Sequence, residues 1–212
     1  MFAINHAATA LIIKTAYPDV PIAAILVSAQ LIEILWVILN FIGIEKTTTA
    51  DKIESVSDVH LSYMPFSHSI ASTITLAIVA WAVIALGFGE SALGAAVAIG
   101  IVSHLVLDLL SHARDIAVAP FIRSTKKLGV GLYEKPVAAF VLEIGYGFFC
   151  WWIYGGSTAL LWTIVLFNLA NASFFLKAIP GPEKYLARKP MWITAVVAVQ
   201  IIVTAALVGL FS

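Results

Sequence analysis

Hardly any stretch of this chain is polar enough to face water. Apolar residues run nearly end to end through its 212 positions, and most of the charge sits in three segments, 45–66, 115–135 and 178–190. A bilayer core takes about 20 apolar residues per helix, and backbone in hydrocarbon must satisfy its own hydrogen bonds. The pattern therefore predicts an all-α, polytopic membrane bundle of six to seven hydrophobic helices. The segments fall at 3–16, 20–44, 67–87, 91–114, 136–154, 157–177 and 191–211. The first is short for a span and is expected to tilt, re-enter or lie at the interface. No shift of composition marks a second unit, so residues 1–212 read as a single integral membrane domain.

Composition narrows the function classes. Charged residues make up 11% of the chain and hydrophobic ones 61%, against about 25% charged in a soluble domain. A soluble monomer and a disordered chain are both excluded. Twelve Lys and Arg balance twelve Asp and Glu, so binding to nucleic acid has no electrostatic basis. The lone Cys150 excludes an intrachain disulfide framework and a thiolate metal cage. Met1 to Ile13 holds no Lys or Arg before its apolar run, so a cleavable signal peptide is not expected.

Basic residues set the expected orientation. If the first helix spans, Lys46, Lys52, Arg114, Arg123, Lys126, Lys127, Lys135, Lys177, Lys184, Arg188 and Lys189 fall on one face, and Lys14 alone on the other. Basic loops stay cytoplasmic, so the three long loops are expected there, and so is the polar end of each neighbouring helix.

Ionisable residues inside apolar segments are costly and mark function. The fourth segment carries His104, Asp108, Ser111 and His112, with Asp115 just past its end. At about 100° per residue these five share one helical stripe about 100° wide. The third segment opens Pro65-Phe66-Ser67-His68-Ser69. Ser67 suits an N-cap, which places His68 in the first turn, where the helix dipole favours the neutral, metal-competent ring. Glu33 lies within the second segment and needs a cation, a metal or a histidine. His6, His60 and Glu143 are further polar positions, Glu143 as a hydrogen-bonding support to the site.

These residues carry a resemblance. Ser67-His68-Ser69 followed by Ser103-His104, Asp108, His112 and Asp115 is similar to the "THS" or "SHS" element and later "SHxxxD" helix of the bacterial inner-membrane metal-dependent hydrolase-like family. Ala29-Gln30-Leu31-Ile32-Glu33 with Trp36, Gly43-Ile44-Glu45, and Val130-Gly131-Leu132-Tyr133 before Pro136 extend the likeness over about residues 1–155. Where many relatives carry His-Arg-Gly, this chain has Tyr63-Met64-Pro65. The resemblance implies a multi-pass protein of the bacterial inner membrane and a metal-supported hydrolase distantly like zinc-dependent phospholipase C.

The leading expectation is a cytoplasm-facing metallohydrolase. His68, His104, Asp108, His112 and Glu33 are the expected ligands of a divalent metal, zinc or the harder manganese. Asp108, Asp115 and Glu33 are the expected catalytic acids, Asp115 orienting a histidine or acting as general base. Membrane lipids are the expected partners and a lipid or lipid-linked phosphoester the expected substrate. Arg123, Lys126 and Lys127 are read first as part of the positive-inside bias, with an anionic headgroup as the alternative. Two other functions use the same residues. One is a proton- or cation-coupled transporter, and the other an assembly protein held by a metal.

Overall fold

The structure is a computed structural model. It describes residues 1–120 and 127–212, and of residues 61 and 62 the backbone alone. Among the described residues there are eight α-helices: α1 (Ala3–Ala16), α2 (Ile22–Phe41), α3 (Ile70–Ala82), α4 (Ser91–Ser111), α5 (Pro136–Tyr154), α6 (Thr158–Ala170), α7 (Ala172–Phe175) and α8 (Pro190–Phe211). About 70% of the chain is helical. Five helices are long and apolar enough to cross a membrane: α2, α3 with its π-helical continuation to Gly87, α4, α5 and α8.

Three features differ from the expectation. The segment expected as one helix over 157–177 breaks at Asn171 into α6 and the four-residue α7. Asn171 at the break donates to the Phe167 carbonyl and accepts from Gln200 of α8, at 2.9 and 3.0 Å. The loop at 45–66 holds a two-stranded antiparallel hairpin, β1 (Lys46–Thr49) and β2 (Val59–Tyr63), so the all-α class gains a small sheet. Finally, α1 is enclosed by other helices, which sets aside the interfacial one of its three expected placements. Ten of its fourteen residues are buried, and it packs against α2, α4, α5, α6 and α8. Ala3, Ala7, Ala8 and Ala10 are buried on it, and such small residues let helices approach closely where lipid removes the hydrophobic drive between them.

Two glycines position the later site. Gly100 faces α2 so closely that a Cβ there would stand 2.1 Å from Ser28 Oγ. That contact brings α4 against the backbone of Ala29. Gly43 adopts a left-handed φ of 78° just past the end of α2. Only glycine takes this conformation without strain, and it turns the chain so that Glu45 heads into the interior, where it is 1% exposed.

Candidate metal centre

Helices α2 and α4 and the segment before α3 deliver four side chains to one point. Glu33 comes from α2, His104 and Asp108 from α4, and His68 from just before α3. One donor atom from each lies within 4.8 Å of all the others. His68 Nε2 stands 3.2 Å from Glu33 Oε2 and 3.3 Å from Asp108 Oδ2. His104 Nε2 stands 3.4 Å and 3.1 Å from the same two oxygens. A tetrahedral ion with ligands at about 2.0–2.1 Å has ligand atoms about 3.3 Å apart. Four of the six edges, at 3.1–3.4 Å, lie close to that spacing, and the other two are within 4.8 Å.

The donor set also fits by its chemistry. His68 Nε2, His104 Nε2 and Asp108 Oδ2 are buried and have no hydrogen-bond partner. Buried polar atoms are nearly always paired, so three orphans at one point mark a place for a cation. Two carboxylates and two neutral rings balance a divalent charge. The two rings are turned inward by their other nitrogens: His104 Nδ1 lies 2.8 Å from the Ala29 carbonyl, the contact that Gly100 permits, and His68 Nδ1 lies 2.8 Å from Ser67 Oγ. The side chains of His68, His104 and Asp108 are at most 1% exposed, that of Glu33 20%.

Asp108 serves two neighbourhoods. While Oδ2 faces the quartet, Oδ1 accepts from the Met1 α-amino group at 2.6 Å and lies 3.3 Å from His6 Nε2 and 3.6 Å from His112 Nε2. The ring of His6 stacks on that of His104 with centroids 3.7 Å apart. His112 therefore stands beside the quartet, outside it, and its Nδ1 is 3.7 Å from Asp115 Oδ2.

Local backbone differs from the expected helix geometry at both ends of the site. The N-cap of α3 is Ser69, whose side chain accepts from Ser72 N, so His68 precedes the helix, outside its first turn. A turn ending at Ser67 and a bend at His68, rather than a helix dipole, present the ring. At the other end α4 stops at Ser111, and His112 is an extended C-cap with ψ of 155°. The expected stripe is helical only as far as Ser111. His112 and Asp115 are placed by a turn that accepts from Gly131 N at the His112 carbonyl, at 2.8 Å.

Beneath this turn Tyr133 donates to Glu143 at 2.8 Å, and Asn5 and Phe2 N also donate to Glu143. Burial, and the Glu143 carboxylate beside it, push the Tyr133 phenol well above its usual range, so it stays a donor. Its ring lies 5.6 Å from that of His112. His68 is shifted upward as well. Burial alone would lower it, but Asp108 and Glu33 outweigh that and push the metal-free ring up to about 10.

A cavity of about 370 Å³ opens next to the quartet. Its lining mixes polar residues, among them Glu33, His60, His112 and Asp115, with apolar ones, among them Phe2, Trp36, Phe174 and Val197. Arg123 and Lys126, for which a headgroup is the alternative reading, lie outside the described residues, and Lys127 is exposed.

The fold and the site define a helical membrane protein with a buried Glu/His/His/Asp group able to hold a metal ion. Compared with protein-family models, curated proteins and solved structures, the chain matches none.

Proposed function

We propose that the protein is a membrane-embedded, metal-dependent hydrolase. The observation that carries this reading is the quartet of Glu33, His68, His104 and Asp108, with three orphaned donor atoms within 4.8 Å of one another, beside a cavity that reaches Glu33 and His112. A divalent cation, zinc or manganese, would polarise a phosphoryl or acyl oxygen and make water a nucleophile near neutral pH. His112, held between Asp108 Oδ1 and Asp115 at the cavity wall, is placed to take and return the proton. The cavity's mixed walls suit an amphiphile, polar group toward the acids and histidines and apolar body toward Trp36 and Phe174. A lipid or lipid-linked phosphoester fits that description. The "SHS" and "SHxxxD" resemblance supports the same class, and the basic loops support a cytoplasmic-membrane protein with this end toward the cytoplasm.

A second reading rests on one observation. Four protein donors close a tetrahedral site, which is the habit of structural metal centres, whereas catalytic ones keep a position open. Hydrolysis here requires Glu33, the one donor on the cavity wall, to yield or share its position. Turnover of phospholipid and phosphoester substrates in liposomes separates the two readings. The hydrolase is chelator-sensitive and loses turnover in Asp108→Asn. A protein that binds zinc stoichiometrically, yet turns over nothing and melts earlier on chelation, is held by its metal.

A further inference from the structure

The two histidines of the quartet are oriented by different means. His104 Nδ1 faces a backbone carbonyl, which only accepts, so Nδ1 must carry the proton and Nε2 presents its lone pair. His68 Nδ1 faces a hydroxyl, Ser67 Oγ, at 2.8 Å. A hydroxyl both donates and accepts, so this contact alone leaves the ring's tautomer open.

Glu45 removes that freedom. Its Oε1 accepts from Phe66 N at 2.8 Å and Ser67 N at 2.9 Å, and its Oε2 accepts from Ser67 Oγ at 2.5 Å. A carboxylate has no proton to give, so the single hydroxyl proton of Ser67 is committed to Oε2. Toward His68, Ser67 can then only accept. Nδ1 must carry the proton, and in the neutral ring that binds metal the lone pair of Nε2 is left on the side of Glu33 and Asp108. All three residues of this chain of contacts are buried, Glu45 at 1%, Ser67 at 0% and His68 at 1% exposure.

We infer that Glu45 is a positioning residue of the metal centre, acting through Ser67 to fix His68 as an Nε2 ligand. The inference rests on the metal-centre reading and deepens it. Partners of this kind are worth about 10–100-fold in metal affinity. Glu45→Gln is the informative change because of the backbone donors. Phe66 N and Ser67 N require the amide oxygen at the Oε1 position, so the amide NH₂ lands at Oε2 and donates to Ser67 Oγ. The hydroxyl proton is then displaced toward His68 Nδ1, where the metal-bound ring already carries its own.

The test is zinc affinity of the full chain in detergent, measured by competition with a chelator at fixed pH, together with the melting temperature with and without zinc. Glu45→Gln and Ser67→Ala are expected to weaken zinc by about 10–100-fold and to shrink the zinc-induced rise in melting temperature. Ser67→Thr, which keeps the hydroxyl, is expected to restore both. Unchanged zinc affinity with a lowered metal-free melting temperature would make Glu45 merely an anchor of the 66–67 turn and overturn the inference. Wild-type protein that takes up neither zinc nor manganese would refute the metal centre itself, and the inference with it. Should the variants not fold, ¹⁵N-histidine spectra of zinc-loaded wild type decide. A His68 ring protonated at Nδ1 supports the relay, and one protonated at Nε2 overturns it.

Discussion

Asp108 and Asp51 each hold a cation, and the similarity ends there. Asp51 accepts from Arg188 Nε at 2.9 Å with both side chains more than 70% exposed. Asp108 accepts from the Met1 amine at 2.6 Å while 1% exposed, and three histidines stand within 3.6 Å of its oxygens as well as the fourth, His6. The exposed pair is screened and mobile, and such pairs contribute little. The buried carboxylate has lost its water and depends on every neighbour it touches. The same residue type is thus ornamental at one end of the chain's polar range and indispensable at the other, and environment alone decides which.

Asp108→Asn should break the buried member most severely. The amide keeps the size and removes the charge that balances a divalent ion, so zinc affinity should fall by more than about 100-fold, read by chelator competition with folding checked by circular dichroism. Retained affinity would mean that Asp108 is only a packing partner of His104. Gly100→Val should come next. The larger side chain forces α4 away from Ser28 and pulls His104 off its carbonyl partner, weakening zinc through a residue that touches no ligand. Tyr133→Phe removes one donor from the buried Glu143 and should cost about 1–3 kcal/mol of stability, seen as a lower melting temperature.

Acidity sharpens the same contrast. The metal-free ring of His68 is raised to about 10 from an unfolded value near 6.5. Its contribution to stability is therefore full below about pH 6.5 and lost as pH rises toward 10. Melting of chelator-treated protein should fall between pH 6.5 and 9.5, and zinc uptake across that window should release protons, measurable by calorimetry in buffers of different ionisation enthalpy. At the bottom of the scale, Arg188→Ala should leave the melting temperature unchanged. The hydrogen bond and charge of Arg188 lower Asp51, but water stands ready to replace both.

The sequence made the spans legible because lipid demands long apolar runs, and it made His104 and Asp108 neighbours because they lie four apart on one helix. Glu33 and His68 stood out as ionisable residues in apolar settings, but nothing local fixed which other residues they would meet. That pairing depends on how α2, α3 and α4 cross, which a Gly100–Ser28 contact sets and no single-helix period reveals. Glu45 drew notice only as part of a resemblance, since it sits past a helix end among loop residues. Its importance comes from a turn at Gly43 and two backbone N–H groups. His112 was assigned to the helical stripe because periodicity has no way of announcing that α4 stops at Ser111.

The enclosure of α1 has a bearing on how the molecule is made. This helix precedes every one of its partners in the chain, yet its surroundings are α2, α4, α5, α6 and α8. Its enclosure is complete only once α8 (Pro190–Phe211) has been made. Because α1 carries His6 against His104, the helix that α8 helps to enclose also bears on the ligand ring of α4.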